Sequence, residues 1–289
     1  MTQLTQTGIA SLQLCFYGAG SMAEAIARGL INEKLLAAGQ ISMLNRQNQE
    51  RLTELHTQYG VLTILQGSSN DAYIQQADII FLAMKPKDAA EAVKAIKPLV
   101  SANQLVISVI AGLSIASIEQ LLGASVPIVR AMPNTSSTIG LGATGISYSD
   151  RVTAQQRQLT ETIFQSVGIT ATVEEPLQSA ITGVSGSGPA YVYYFMEAMM
   201  QAAGELGLEP GAAKELVVQT VLGAAQMVRE TGEEPAELRR KVTSPNGTTQ
   251  AAIEMMAEFR LTETIIKGMR RSAERAGELG AAIERSINE

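Results

Sequence analysis

Short apolar runs alternate with helix-compatible stretches through the first half of this 289-residue chain, and this alternation is its strongest constraint on the fold. Each run is rich in Ile, Val and Leu, which predicts buried strands. Strands that alternate with helices build βαβ units and a parallel sheet. The predicted strands are Leu12–Tyr17, Gln40–Leu44, Val61–Leu65, Ile79–Met84, Leu105–Ile110 and Ile128–Ala131, with Ala143–Tyr148 and Ile169–Val173 added at one edge.

Only helical spacing is found after Glu175. The chain therefore predicts an α/β fold, with a parallel-sheet domain over residues 1–175 followed by an all-α domain over residues 176–289. Its length suits two domains of ordinary size. The long helices predicted in the second domain are Tyr191–Leu206, Ala212–Glu230 and Leu261–Ala282.

The second of these helices is too apolar for a helix with one buried face. Leu216, Val217, Val221 and Leu222 cover more than one stripe of its surface, so it needs burial on several sides. Neighbouring helices or a second subunit can supply that burial. We favour the subunit because so many helices of this domain are apolar, and this predicts a homodimer through the helical domain.

The charge and composition exclude several classes of protein. A net charge of -6 and an aromatic content of 4% argue against a nucleic-acid binder, which would carry a basic face and aromatic stacking platforms. The longest apolar runs fall short of a membrane span, and the polar, uncharged segment Met1–Ser11 lacks the features of a signal peptide. The predictions are therefore no nucleic-acid or membrane partner and a cytoplasmic location.

The chain holds one histidine and one cysteine. His56 lies in a polar, helix-like stretch, which indicates a solvated surface residue, and Cys15 lies inside an apolar run, which indicates a buried strand residue. A zinc site or a Ser-His or Cys-His triad would need more such groups. We therefore predict no metal site, and we expect a cofactor to supply any difficult chemistry.

A glycine-rich turn follows directly after the first predicted strand. Residues 18–23 read Gly-Ala-Gly-Ser-Met-Ala and lead into an alanine-rich helix, which is the strand-to-helix context of pyrophosphate binding. Gly18 permits the turn, Gly20 lets the backbone approach the phosphates, and Ala23 allows close helix packing. The turn indicates a dinucleotide site in the first βα crossing.

The end of the second strand indicates which dinucleotide binds. An acidic residue there would hold the ribose hydroxyls of NAD, but the chain reads Leu44-Asn45-Arg46-Gln47. A guanidinium suits a 2′-phosphate, which predicts NADPH as the cofactor, with NADH weaker. The alternative is that Arg46 is a solvated surface charge.

A second candidate anion site lies in the helical half. Residues 243–249 read Thr-Ser-Pro-Asn-Gly-Thr-Thr and run into the helix-like segment Gln250–Ala257. A turn that delivers two threonines onto a helix start leaves backbone N–H groups unpaired beside free hydroxyls, which makes a socket for a carboxylate or phosphate. The alternative is an ordinary capped helix, with Ser244 or Thr248 as the N-cap.

Together these segments resemble the pyrroline-5-carboxylate reductases, and the resemblance covers nearly the whole chain. The glycine turn is shared by many dehydrogenases, whereas the last two segments are specific in their order and spacing. The segments that carry the resemblance are residues 16–23 (Phe-Tyr-Gly-Ala-Gly-Ser-Met-Ala), 83–86 (Ala-Met-Lys-Pro), 129–135 (Val-Arg-Ala-Met-Pro-Asn-Thr), 184–191 (Val-Ser-Gly-Ser-Gly-Pro-Ala-Tyr) and 242–249 (Val-Thr-Ser-Pro-Asn-Gly-Thr-Thr).

The resemblance implies a Rossmann-type dinucleotide-binding domain, an all-α dimerisation domain and often a ring of dimers. It implies reduction of 1-pyrroline-5-carboxylate to L-proline by hydride transfer from NAD(P)H, the final step of proline biosynthesis. For the cofactor it assigns Gly18, Ala19, Gly20, Ser21, Met22, Asn45, Arg46, Asn70, Ala83, Met84, Lys85 and Pro86, with Met132, Pro133 and Asn134 near the nicotinamide. For the substrate it assigns Ser244, Gly247, Thr248 and Thr249, with Glu175 nearby.

The chain departs from the common family pattern at a few positions, of which Asn246 is nearest the substrate site. It stands where a second glycine is usual, and asparagine tolerates a left-handed backbone better than most residues, so we expect the turn to survive.

A protonated cyclic imine accepts hydride without strong acid catalysis, so the enzyme mainly needs to hold the two rings face to face. The Thr249 hydroxyl is the predicted catalytic group, because it can donate to or accept from the ring nitrogen and steady its changing charge.

Three other functions stay open. A β-hydroxyacid dehydrogenase typically relies on a lysine in the first long helix of its second domain, and Tyr191–Leu206 contains none. A reductase of the six-membered cyclic imine would share the carboxylate site. A non-catalytic NADPH sensor would need the glycine turn but would have no reason to keep the socket around Thr249.

Overall fold

The computed structural model describes residues 8–66, 71–123 and 126–288 of the chain. The described residues form two compact units. The first comprises the residues up to Ser187 together with those from Arg271 onward, and the second is Gly188–Arg270. The domain boundary near Glu175 stays a prediction.

The first unit is built on a mainly parallel sheet, which confirms the predicted fold class. The strand order is β3-β2-β1-β4-β5-β6-β7-β8, so the order reverses between β1 and β4, where doubly wound sheets bind their ligands. The eight strands found among the described residues are β1 (Leu14–Tyr17), β2 (Ile41–Asn45), β3 (Leu62–Leu65), β4 (Ile79–Leu82), β5 (Leu105–Ser108), β6 (Ile128–Met132), β7 (Gly142–Tyr148) and β8 (Gly168–Thr172).

The last two strands run against the rest of the sheet. β1 to β6 pair in parallel, β7 pairs antiparallel to β6, and β8 pairs parallel to β7. The link from β6 to β7 is a short loop with one helical turn, Thr135–Ile139, which is too short for a parallel crossover. The two added strands predicted at one edge are therefore confirmed, with their direction set by the link.

Helices cover both faces of this sheet. The helices of the first unit are α1 (Ser21–Asn32), α2 (Gln49–Tyr59), α3 (Asp71–Gln75), α4 (Ala89–Ile96), α5 (Ile115–Leu122), α6 (Ala154–Gln165) and α7 (Gln178–Ile181). The second unit contains α8 (Gly188–Glu205), α9 (Pro210–Thr231), α10 (Pro235–Lys241) and α11 (Thr248–Glu258). α12 (Leu261–Asn288) begins in the second unit and ends in the first.

The core of the first unit lies on both sides of β1. Phe16 stacks on Phe81 with ring centroids 4.4 Å apart, and Phe81 meets Phe164 edge to face at 6.4 Å. On the opposite face Cys15 is fully buried, as predicted, and burial raises the pKa of its thiol to about 11. Both faces of the strand are apolar because helices cover both sides of the sheet.

The second unit is buried very differently. Within Gly188–Arg270 only Ala203, Ala213 and Val217 are buried. Large apolar side chains, among them Leu216 and Leu222 of α9, are exposed instead. No helix in the part of the chain that the structure describes has the length and apolar character that crossing a membrane requires.

Candidate active site

The glycine turn joins the end of β1 to the start of α1. Gly18 has φ 119°, which favours glycine, and a Cβ placed on it would lie 2.5 Å from the carbonyl oxygen of Ala83. At Gly20 a Cβ would meet nothing within 4 Å. No side chain caps the first turn of α1, whose N-cap is Gly20. The turn therefore offers open space and free N–H groups, which fits a pyrophosphate.

Side chains of the neighbouring helix anchor this turn. The Arg51 Nε donates to the carbonyl oxygen of Ala19 at 3.4 Å, and its guanidinium also pairs with Glu24 of α1. The Tyr59 hydroxyl donates to the same carboxylate at 2.7 Å. Burial acts to raise the pKa of Glu24, but the hydrogen bonds from Tyr59 and Arg51 outweigh it and lower the pKa. The anchor is thus charged at neutral pH.

A cavity of about 400 Å³ opens at the carboxyl ends of β1, β2 and β4. Eight of the predicted cofactor residues line it: Gly18, Ala19, Gly20, Asn45, Arg46, Ala83, Met84 and Lys85. Sequence reasoning missed other lining residues, namely Tyr17, Leu44, Gln47, Asn48, Gln66, Lys87, Asp88 and Ala92. Their proximity to the turn follows from the parallel order of β2, β1 and β4, which places distant segments at one edge.

Asn45 and Arg46 have different roles at the end of β2. The Asn45 Oδ1 accepts from the N–H groups of Gln47 at 3.1 Å and Asn48 at 3.0 Å, so this side chain shapes the loop. The Arg46 Nη1 lies 3.7 Å from the Asp88 Oδ1, and the arginine side chain is 59% exposed. Arg46 is therefore paired, yet it is accessible to a ligand in the cavity.

Tyr17, the last residue of β1, lines this cavity. Burial raises the pKa of its hydroxyl, and the nearby charge of Arg46 and a hydrogen bond with Gln66 oppose that rise only in part. The hydroxyl is consequently neutral at physiological pH.

Three predicted residues lie at the end of β6. Pro133 is buried, and the Asn134 side chain donates to the carbonyl oxygen of Ser185 at 3.0 Å and accepts from the N–H of Ala143 at 3.3 Å. Gly186 leaves room for Met132, because a Cβ on that glycine would lie 3.0 Å from the methionine methyl. Asn134 thus holds together segments that are far apart in sequence.

Glu175 is engaged within the first unit. Its Oε1 accepts from Arg130 Nη1 at 3.0 Å and from the N–H of Ile115 at 2.8 Å. The first contact ties the segment after β8 to β6, and the second ties it to the first turn of α5. Asn70, another predicted site residue, lies outside the described residues.

The predicted substrate socket lies in the second unit, at the start of α11. The N-cap is Gly247, with no side-chain cap, so neither Ser244 nor Thr248 caps this helix. The first helical hydrogen bond runs from the N–H of Ala251 to the carbonyl oxygen of Gly247 at 3.2 Å. The N–H groups of Thr248, Thr249 and Gln250 precede that bond, and an α-helix offers them no internal acceptor.

The turn before α11 is held by a chain of side-chain contacts. Asn246 has φ 58°, the left-handed conformation expected of it. Its N–H donates to the Gln250 Oε1 at 2.8 Å, and the Gln250 Nε2 donates to the Glu254 Oε1 at 2.6 Å. The Gly247 N–H donates to the carbonyl oxygen of Ser244 at 3.0 Å. Sequence reasoning missed Gln250, and the available signal was its position three residues after Gly247, where a helix start often carries Glu or Gln.

Comparison with known proteins adds to this geometry. A family model described as pyrroline-5-carboxylate reductase dimerisation matches residues 175–279. Pyrroline-5-carboxylate reductase 1 of Bacillus subtilis is 40% identical over 274 residues, which cover 95% of this chain and 91% of that protein. The chain belongs to the pyrroline-5-carboxylate reductase family. Members of this family catalyse the final step of proline biosynthesis with NAD(P)H, so the predicted oxidoreductase class is confirmed.

The nucleotide-binding half and the whole fold have matches of their own. A family model described as coenzyme F420-dependent NADP oxidoreductase matches residues 13–112, in agreement with the predicted NADP-binding domain. A pyrroline-5-carboxylate reductase from Coxiella burnetii has a TM-score of 0.86 at 38% identity, covering 93% of this chain and 98% of that one. The Plasmodium falciparum pyrroline carboxylate reductase, solved with NADP bound, has a TM-score of 0.84 at 28% identity, covering 94% and 100%.

Proposed function

We propose that this chain reduces 1-pyrroline-5-carboxylate to L-proline with NADPH. The observation that carries the proposal is the uncapped start of α11, where three N–H groups and the hydroxyls of Thr248 and Thr249 lie beside a turn held by Gln250. A monoanionic carboxylate satisfies such groups and is favoured by the helix dipole.

The cavity in the first unit supports NADPH as the cofactor. The glycine turn from Gly18 to Met22 would take the pyrophosphate, and Asn45 and Arg46 the adenosine end. Lys85 and Lys87 add positive charge to the same cavity. The segments 83–86 and 132–134 would hold the rest of the nucleotide, and we keep Asn70 in this set as a prediction. The bound cofactor supplies the hydride.

The chain's own residues bind and orient the imine. Ser244, Gly247, Thr248 and Thr249 would hold the substrate carboxylate, and the Thr249 hydroxyl would steady the changing charge on the ring nitrogen. Glu175 was predicted near the substrate. Its carboxylate accepts from Arg130 and from the N–H of Ile115, and these contacts support a role in fixing the position of the segments around it.

The exposed apolar residues of the second unit support a homodimer through this unit, in line with the dimerisation family. A ring of such dimers and a cytoplasmic location stay predictions. We also keep the functional division into an NADP-binding segment, residues 1–175, and a dimerisation and substrate segment, residues 176–289.

One assay tests the proposed reaction. NADPH absorbance is followed with 1-pyrroline-5-carboxylate and with the six-membered piperideine-6-carboxylate, and NADP⁺ reduction is followed with 3-hydroxyisobutyrate. We expect rapid NADPH oxidation with the five-membered imine and no NADP⁺ reduction with the hydroxy acid. Turnover of the hydroxy acid alone would refute the proposal, and a preference for the six-membered ring would change its substrate.

A further inference from the structure

Asp88 occupies an unusual position at the edge of the nucleotide cavity. It is the N-cap residue of α4, where an aspartate usually accepts a hydrogen bond from the first turn of the helix. Here its side chain makes no capping hydrogen bond. The carboxylate instead lies 3.7 Å from the Arg46 guanidinium, and its side chain is only 29% exposed.

This carboxylate therefore acts inside the site and not on its own helix. Arg46 and Asp88 both line the cavity, together with Lys85 and Lys87. Arg46 comes from the end of β2 and Asp88 from the segment after β4, so the pair spans the two strands that flank β1. An anionic ligand group that binds Arg46 therefore competes with Asp88 for the guanidinium.

The two nicotinamide cofactors differ at the group that Arg46 is placed to meet. NADPH carries a 2′-phosphate of nearly two negative charges, and NADH carries a neutral hydroxyl. A phosphate near Arg46 would compete with the Asp88 carboxylate and would be repelled by it. A hydroxyl would leave the Arg46–Asp88 pair intact, because it brings no charge.

We propose that Asp88 limits the preference of this chain for NADPH over NADH, by competing with the 2′-phosphate of NADPH for Arg46. The inference rests on the proposed function, since it places the adenosine end of the cofactor at Arg46. Lys85 and Lys87 remain for the phosphate, so Asp88 narrows the preference for NADPH without reversing it. Removing the carboxylate widens that preference.

Binding measured by calorimetry tests this role directly. The probes are NADP⁺ and NAD⁺, together with the fragments 2′,5′-ADP and 5′-AMP, which differ only by the 2′-phosphate. For Asp88→Asn we expect NADP⁺ and 2′,5′-ADP to bind about twofold to fivefold more tightly, which is the range of an exposed ion pair. NAD⁺ and 5′-AMP should change by less than about 1.5-fold, and the gain should shrink as salt is added.

Two further variants separate the proposal from a general change of charge. Glu91→Gln removes one negative charge from the first turn of α4, three residues after Asp88, at a residue that does not line the cavity, and it should change NADP⁺ binding by less than about 1.5-fold. In an Arg46→Met background, Asp88→Asn should have a smaller effect on NADP⁺ binding, because only the direct repulsion between Asp88 and the phosphate is then relieved. The full gain should therefore need both the 2′-phosphate and Arg46.

The proposal is overturned if Asp88→Asn changes NADP⁺ and NAD⁺ equally, if it weakens NADP⁺, or if Glu91→Gln matches it. A wild-type protein that binds neither dinucleotide would refute the proposed function instead. A wild type that binds NADP⁺ and reduces the imine, with a silent Asp88→Asn, would refute this inference alone.

Discussion

The two compact units of this protein differ in how much of their apolar surface is buried within the single chain. The sheet unit packs apolar side chains on both faces of its strands, and Phe16, Phe81 and Phe164 are almost fully buried. The helical unit buries three residues of Gly188–Arg270 and leaves the apolar face of α9 exposed. A single chain can thus complete one core and leave the other for a partner subunit.

A charge on the exposed face of α9 tests this contrast with the largest expected effect. Leu222 is 54% exposed in the single chain, so Leu222→Glu costs little there. In a dimer it would bury an unpaired charge, and we expect the dimer dissociation constant to rise at least about 100-fold, from a cost of roughly 3 kcal/mol. Sedimentation velocity measures the change.

Leu62→Glu provides the matched control in the sheet unit. Leu62 is 39% exposed on β3, and its substitution should leave the dimer intact. Unchanged dimer affinity in Leu222→Glu would show that the helical unit does not associate through this face.

A pair of glycine substitutions separates stability from cofactor binding in the sheet unit. Gly18→Ala forces a strained φ and a Cβ contact with backbone at 2.5 Å, so we expect about 3 kcal/mol of destabilisation. Gly20→Ala meets no atom within 4 Å and should cost less than about 0.5 kcal/mol. It should still weaken NADP⁺ binding at least about tenfold, because the methyl group occupies the space of the pyrophosphate.

Chemical denaturation and calorimetry measure these two quantities. If Gly20→Ala binds NADP⁺ as tightly as the wild type, the pyrophosphate does not approach this turn.

Thr249→Ala tests whether chemistry depends on the helical unit while cofactor binding depends on the sheet unit. We expect kcat for the imine to fall about tenfold to a hundredfold, because a hydroxyl that steadies the ring nitrogen is lost. NADP⁺ affinity should stay within about twofold, and Thr249→Ser should recover most of the rate. A variant that reduces the imine as fast as the wild type contradicts this role.

The buried core of the sheet unit should also make the free energy of unfolding depend on pH in the alkaline range. The pKa of Cys15 is raised to about 11 by burial, so the folded thiol stays protonated while the unfolded thiol ionises at its lower ordinary value. The stability that this group contributes is complete below that ordinary value and is lost as pH rises through about 11.

The comparison of wild type with Cys15→Ala isolates this group from other alkaline titrations. Between about pH 8 and pH 10.5 the wild type should lose about 2 kcal/mol more unfolding free energy than the variant. Parallel curves for the two proteins would mean that the thiol is not shielded in the folded state.

The smallest effect concerns the contacts behind the substrate socket. Gln250→Ala removes the acceptor of the Asn246 N–H, and we expect KM for the imine to rise about threefold to tenfold with an unchanged KM for NADPH. Adding Asn246→Gly should restore part of the affinity, because glycine adopts a positive φ without strain. Equal changes in both KM values would point to general unfolding of the unit.

Much of the fold could be predicted from local patterns. The eight strands of the described residues begin and end within two residues of their predicted bounds, because a buried strand shows as a short apolar run whatever its partners. The glycine turn could be predicted for the same reason, because its conformation depends on the residue types within the turn. The antiparallel direction of β7 was not predicted, because pairing direction depends on the whole chain between two strands.

In the candidate sites, too, the features set by local sequence could be predicted and those set by distant contacts could not. The left-handed backbone of Asn246 followed from residue type, whereas the Asp88 contact with Arg46 joins residues separated by an intervening βαβ unit. The sequence was equally compatible with a helix capped by Ser244 or Thr248, but the structure has Gly247 as the N-cap and no side-chain cap. The final helix looked like part of the helical domain, yet its residues from Arg271 onward group with the sheet unit.

By itself the sequence determined the α/β class, the dinucleotide turn and the family to which the chain belongs, because each is recognised from short segments that can be read one at a time. Only the tertiary structure decided that Asp88 faces Arg46, that Glu175 pairs with Arg130, and which apolar helix face stays uncovered. Charges and surfaces from distant segments meet only after the backbone has folded, and no local pattern encodes that meeting.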